Sequence, residues 1–242
     1  MTNQKAIDTP SHKGKFGWER LGTETTDVPG TAAVPVIVRT NEIRYCPTRI
    51  VEQEVIKKYA NLPQSVFTCI TLKSFYLTAV EARLLNEINL HHCDQRYGAE
   101  FFTTADVIIS AADINGLTRF LNIATDLFTK NLQALTYFGL VKIVTDELNP
   151  NATMLVPYIV KTYNGENVRF IPSRLVENFL TTSSVTIKSV PNDWDIMYLR
   201  LLSVYAENNL QQDITKDSRL ISLPSLIYKT TQAPIIYQNC DQ

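Results

Sequence analysis

Glycine is scarce in this chain, with 8 residues in 242, and neither GxGxxG nor a GxxxxGKS or GxxxxGKT motif occurs. The common nucleotide-binding enzymes cradle phosphates on glycine-rich backbone at those spacings, so they are disfavoured. Histidine is scarcer, limited to His12, His91 and His92, which leaves little material for His-based acid–base or triad chemistry. Four cysteines, Cys46, Cys69, Cys93 and Cys240, form no CxxC pair and keep no regular spacing. That usage suits reduced thiols and predicts no disulfides. Charge of one sign is also lacking: 23 basic residues against 24 acidic ones give a net charge of −1. No global field draws polyanions, and a nucleic-acid surface would have to be a local patch. No apolar run approaches the roughly 18 residues of a membrane span, and the first residues lack the apolar core of a signal peptide. The expectation is a soluble protein of the cytoplasm, nucleus or a virion, with no membrane partner.

Against these absences stands an internal repeat. Residues 34–52 read VPVIVRTNEIRYCPTRIVE and residues 156–177 read VPYIVKTYNGENVRFIPSRLVE, and the two align when three residues are added at the centre. Identical positions are Val34/Val156, Pro35/Pro157, Ile37/Ile159, Val38/Val160, Thr40/Thr162, Arg44/Arg169, Pro47/Pro172, Arg49/Arg174, Val51/Val176 and Glu52/Glu177. Arg39/Lys161 and Tyr45/Phe170 are conservative pairs between them. Each copy reads as a short apolar strand, a polar turn, a second strand alternating Arg with an aromatic, and a proline at a helix start. The added residues fall at a hairpin tip, where Asn164-Gly165 tolerates positive φ and Asn41-Glu42 closes a tighter turn in the first copy. Pro47 and Pro172 suit a first helical turn, with Thr48 or Ser173 as the cap. Val51, Val55 and Tyr59 then mark one helix face, and Leu175, Val176, Phe179 and Leu180 the other. A weaker match follows, Thr71-Leu72-Lys73-Ser74 before Arg83-Leu84-Leu85, and Thr186-Ile187-Lys188-Ser189 before Arg200-Leu201-Leu202.

The fold class expected is therefore α+β, by internal duplication of a hairpin-helix-strand-helix unit that gives two similar lobes, each with a short antiparallel sheet covered by helices. Residues 1–33 are polar and predict a flexible arm, residues 34–130 the first repeat, 131–152 a connection and 153–242 the second repeat. Within the first copy, Thr78 and Glu81 form a capping-box signature with Val80, Leu84 and Ile88 on one apolar face. A long helix is predicted over 112–128 from Ile114, Leu117, Leu121, Ala124 and Phe128.

Candidate functional residues are few. Phe16 and Trp18 interrupt the polar arm, and an aromatic there either docks back on its own fold or anchors a partner. Arg44, Arg49, Arg169 and Arg174 recur in both copies. Arg49 and Glu52, three apart on a helix, can pair as a brace; alternatively, equivalent arginine pairs form twin sites for a partner's carboxylate or phosphate groups. His91-His92-Cys93-Asp94 has metal-ligand residue types, but adjacent helical residues point about 100° apart and no second pair stands at zinc-site spacing. Imidazoles at a helix C-terminus are explained by capping carbonyls and the dipole. No catalytic residue, metal or cofactor is expected.

Residues 126–162 have an order, a helix with Leu132 and Leu135, then Gly139-Leu140-Val141, a turn at Asn149-Pro150-Asn151 and another strand, that resembles the recognition helix and wing of winged-helix DNA-binding domains. That region supplies few cations, Lys130 and Lys142 among them, where phosphate contact recruits several. The leading expectation is a non-enzymatic assembly or interaction protein with protein partners, such as a subunit of a homo-oligomer or virion-like particle. A nucleic-acid-binding regulator is the alternative, and a small hydrolase using Cys93 is the third.

Overall fold

The computed structural model describes residues 15–21, 33–39, 42–129, 137–144, 153–176, 187–207 and 214–223. The chain is α+β, with two five-stranded antiparallel sheets and five α-helices among those residues. It divides into one unit of residues 1–62 and 71–125 and a second of 63–70 and 126–242.

In the first unit β1 (Lys15–Glu19), β2 (Val34–Val38) and β3 (Arg44–Pro47) make a meander, followed by α1 (Thr48–Glu54). The short helix α2 (Gln64–Thr68) belongs to the second unit. The first unit resumes with β4 (Phe75–Tyr76), α3 (Ala79–His92), β5 (Val107–Ser110) and α4 (Ala111–Thr129), of which residues through Thr125 belong to it. The second unit repeats the plan with β6 (Phe138–Val144), β7 (Thr153–Tyr163), β8 (Glu166–Pro172), a three-residue 3-10 turn at Ser173–Leu175, β9 (Lys188–Ser189), α5 (Asp193–Tyr205) and β10 (Leu220–Ser222). Strand order is β1-β2-β3-β5-β4 in one sheet and β6-β7-β8-β10-β9 in the other, the same order by place.

Register matches as well as order. Ile37 faces Tyr45 and Val38 faces Arg44, while the aligned Ile159 faces Phe170 and Val160 faces Arg169. On the other side, Phe16, Gly17 and Trp18 face Ile37, Val36 and Pro35, and Phe138, Gly139 and Leu140 face Ile159, Tyr158 and Pro157. Phe-Gly thus occupies one register position in both sheets, and the parallel between the units starts upstream of the aligned repeat. Residues 15–19, within the expected arm, are a strand of the first sheet, and residues 138–144, within the expected connection, are a strand of the second. The rest of the expected arm, apart from residues 20, 21 and 33, lies outside the described residues.

Local chemistry explains most boundaries. Asn164 (φ 51°) and Gly165 (φ 83°) close the β7–β8 hairpin in the left-handed pair of a type I′ turn. Gly165→Ala should destabilise the chain by about 1 kcal/mol, read as a shift of the urea midpoint, because an L side chain is strained there. In the first hairpin Glu42 (φ 59°) donates its N–H to the Arg39 carbonyl at 2.9 Å. Pro47 and Pro172 stand at helical starts as expected, but as the N-cap residue, one position before the first turn. They end β3 and β8 in extended conformation, opposite Ile108 and Leu220, and neither helical segment that follows has a side-chain cap. Phe179 and Leu180 lie outside the described residues. Helix α4 spans 111–129 with Ile114, Leu117, Leu121 and Ala124 fully buried, as its spacing predicts.

Helices α3 and α5 both start on complete capping boxes, Thr78 with Glu81 and Asn192 with Asp195. Counted from these caps, Glu81 is equivalent to Asp195, and the two Arg-Leu-Leu runs fall out of step. That second sequence match is therefore not a structural equivalence. The buried face of α3 is also rotated from the expected one: Glu81, Ala82, Leu85, Ile88 and Asn89 are buried, while Val80 is exposed and Leu84 half-buried.

The two glycines sharing a register position differ in their surroundings. A Cβ on Gly139 would lie 2.7 Å from the Tyr158 hydroxyl, whereas one on Gly17 would meet Val36 and Val38 methyls at an ordinary 3.7 Å. Gly139→Ala should cost about 1–3 kcal/mol through displacement of the Tyr158 ring, and Gly17→Ala much less. Paired urea titrations check this, and equal losses would contradict it.

Candidate interaction surface

Polar residues with a matching role are Arg39, just after β2, and its aligned counterpart Lys161, within β7. Arg39 donates Nε and Nη2 to the two Glu81 carboxylate oxygens at 3.0 and 3.1 Å, and Nη2 to the Tyr76 carbonyl at 2.8 Å. Lys161 Nζ lies 2.8 Å from Asp195 Oδ2 and donates to the Val190 carbonyl at 2.8 Å. Counted from the two caps, Tyr76 and Val190 are equivalent, as are Glu81 and Asp195. One cation on or next to the strand therefore ties a backbone carbonyl and the helix cap to the sheet in each unit. The first copy is sealed, with side chains 3% and 0% exposed, and the second is partly open at 24% and 16%. The signals for this arrangement were a conservative repeat pair and a cap acid, but nothing in sequence links them.

The arginines singled out by identity take up individual duties. Arg44 is exposed and pairs with Glu19 at 2.6 Å. Arg49 pairs with Asp106 at 2.9 Å, donates to the Glu100 carbonyl at 2.7 Å and lies over the Phe102 ring. Arg49 is thus braced across the fold by Asp106, while Glu52, its expected partner, is exposed. Arg169 lies over the Tyr158 ring at 5.3 Å. Arg174 is exposed, and Glu177 lies outside the described residues. Register makes Arg44 and Arg169 equivalent, but their surroundings differ. Arg44 and Arg49 do not converge on one site, since each holds a different acid.

Phe16 and Trp18 are the units' clearest asymmetry. They project from β1 on the face opposite to Gly17, at 42% exposure each, with ring centroids 6.4 Å apart in an edge-on pair. At the register position of Phe16, Phe138 is 7% exposed because Tyr198 of α5 stacks on it at 4.4 Å. Counted from the caps, the place of Tyr198 in α5 is that of Leu84 in α3. The first unit thus has a leucine at that helix place and keeps Phe16 and Trp18 open. Among the described residues no strand pairs with the outer side of β1. The edge strand ends in opposite charges, Lys15 beside Glu42 at 3.0 Å and Glu19 beside Arg44.

The α3 C-terminus shows no chemistry of the same weight. His91 and His92 are exposed in the last turn, and among the described residues no group of three His, Cys, Asp or Glu is placed to hold a metal. Burial pushes the Cys93 thiol up, Asp94 adds to the shift and Arg96 opposes it. Burial also pushes the Cys46 thiol well above its usual range. Neither is set up as a thiolate nucleophile at neutral pH. No helix among the described residues is long and apolar enough to cross a membrane.

Comparison with protein-family models, with curated proteins and with solved structures finds no match to this chain.

Proposed function

We propose that this chain is a non-enzymatic assembly protein, a subunit that joins other copies of itself into a homo-oligomer, in the manner of a virion or similar intracellular particle. The observation that supports the reading is the open aromatic pair Phe16 and Trp18 on a strand edge unpaired among the described residues, with Phe138, the second unit's counterpart of Phe16, covered by Tyr198. Large aromatics supply much of the energy at protein interfaces, and an uncovered strand edge invites pairing.

Because β1 is a strand of the first sheet, removing the first 30 or so residues would damage the fold along with the surface, and point substitution is the cleaner test. Full-length chain should run as a defined oligomer in light scattering coupled to size exclusion. Trp18→Ser should weaken association about thirtyfold or more. A full-length chain that stays monomeric at every concentration would exclude the reading.

The alternative, a nucleic-acid-binding regulator built on residues 126–162, has less support. Its would-be wing strands β6 and β7 are the first two strands of a five-stranded sheet, and Lys161 is engaged with Asp195. Residues 131–136, within the expected recognition helix, lie outside the described residues. Salt-dependent DNA or RNA binding at low ionic strength would revive it.

A further inference from the structure

Strand β1 reads Lys15-Phe16-Gly17-Trp18-Glu19, and this order is complementary to its own reverse. Placed antiparallel to a second β1 about Gly17, the strand sets Lys15 opposite Glu19, Phe16 opposite Trp18 and Gly17 opposite Gly17. Both charged ends then meet their opposites, and both aromatics meet aromatics on one face. Cross-strand pairs of these kinds are the ones that stabilise antiparallel sheets. A two-fold axis through Gly17 also satisfies the closure rule of an isologous dimer, because the same five residues serve both sides. We propose that the partner of the β1 edge is a second copy of this chain, joined β1 to β1 across a two-fold axis so that the two five-stranded sheets become one continuous sheet. The inference rests on the assembly reading above and names its geometry.

The second unit supplies an internal contrast. Its edge strand β6 is longer, yet pairing it with itself about Val141 would put Lys142 opposite Leu140, and the strand has no acid to receive that charge. An uncompensated lysine on an edge is a device that prevents pairing. Within β1 the charges instead sit at the two ends with opposite sign. Their present partners, Glu42 for Lys15 and Arg44 for Glu19, are surface contacts, with Lys15 66% exposed. Such contacts are worth little and are easily shared or exchanged on docking.

The test uses full-length chain and two single charge reversals, Lys15→Glu and Glu19→Lys. Sedimentation over roughly 1 µM to 1 mM covers the weak end expected of a small edge interface. Wild type should dimerise. Each reversal alone places like charges opposite each other at both ends of the paired strands and should raise the dimer dissociation constant about tenfold or more. An equimolar mixture of the two variants should dimerise again. In the mixed pair one β1 is acidic at both ends and the other basic at both ends, so opposite charges meet twice. A second measurement does not depend on variants: carbodiimide treatment of mixed heavy- and light-isotope wild type should link Lys15 of one copy to Glu19 of another. Recovery in the mixture together with that cross-link establishes the geometry. A wild-type oligomer that lacks the cross-link, or variants that associate as tightly as wild type, overturns the β1 pairing and leaves the assembly reading standing. A monomeric wild type removes both.

Discussion

Arg39→Met should destabilise the chain by about 3–5 kcal/mol. The substitution keeps most of the side-chain volume and removes only the guanidinium, so the loss reports the charge left behind. Glu81 is fully buried, and two of the guanidinium's nitrogens are bonded to its carboxylate. Without them the Thr78 N–H at 2.8 Å still bonds Glu81, which is too little for a carboxylate out of water. The Tyr76 carbonyl loses the Arg39 donor at the same time. Lys161→Met removes the equivalent cation, but there water reaches both partners, and the cost should stay near ~1 kcal/mol. Urea midpoints of the two variants measure the difference. Similar losses would mean that burial does not set the strength of this pair. Arg39→Met combined with Glu81→Leu should recover part of the loss, since removing both charges is far less costly than stranding one.

Phe170→Ala should cost a further large amount, about 3–5 kcal/mol. The ring is 1% exposed and sits opposite Ile159 at the register position that Tyr45 holds in the first unit. Truncation there opens a cavity between buried neighbours, and the backbone of β8 is held by the ladders to β7 and β10 and cannot collapse into it. Tyr163→Ala, at the exposed tip of the same hairpin, should stay within about 0.5 kcal/mol. A loss under about 1 kcal/mol for Phe170→Ala would show that the second core tolerates voids.

Several of these features were legible before the fold was seen. The aligned repeat translated directly into register, because a side-chain period of two makes any slip exchange the faces. The Thr78–Glu81 cap, the Asn164-Gly165 turn and α4 followed from local chemistry that tertiary structure had no reason to override. The edge strands did not. A short run with two charged ends and a glycine, in a polar stretch, resembles an arm, and the shared Phe-Gly is too short to stand out. The face of α3 was misread because its most buried residues include a glutamate, which an apolar periodicity passes over. Sequence singled out Phe16 and Trp18 as the exceptional aromatics, but that the register counterpart of Phe16 lies under Tyr198, at a helix place held by Leu84 in the first unit, is visible only once the caps are matched.

In each sheet the last strand to be made is not at the edge. β5 lies between β3 and β4, and β10 between β8 and β9. The three-stranded meanders can zip locally as soon as their residues are available, but β4 and β9 have nothing to pair with until a strand from the far side of a helix arrives. Such non-local pairing is slow, because the loop must close before any contact repays it. The capped helices α3 and α5 lie inside those loops, and by forming early they shorten the span to be closed. Each half of this chain should therefore fold in two kinetic stages, a fast meander and a slower insertion, with the unfilled slot beside β3 or β8 as the species most open to mispairing.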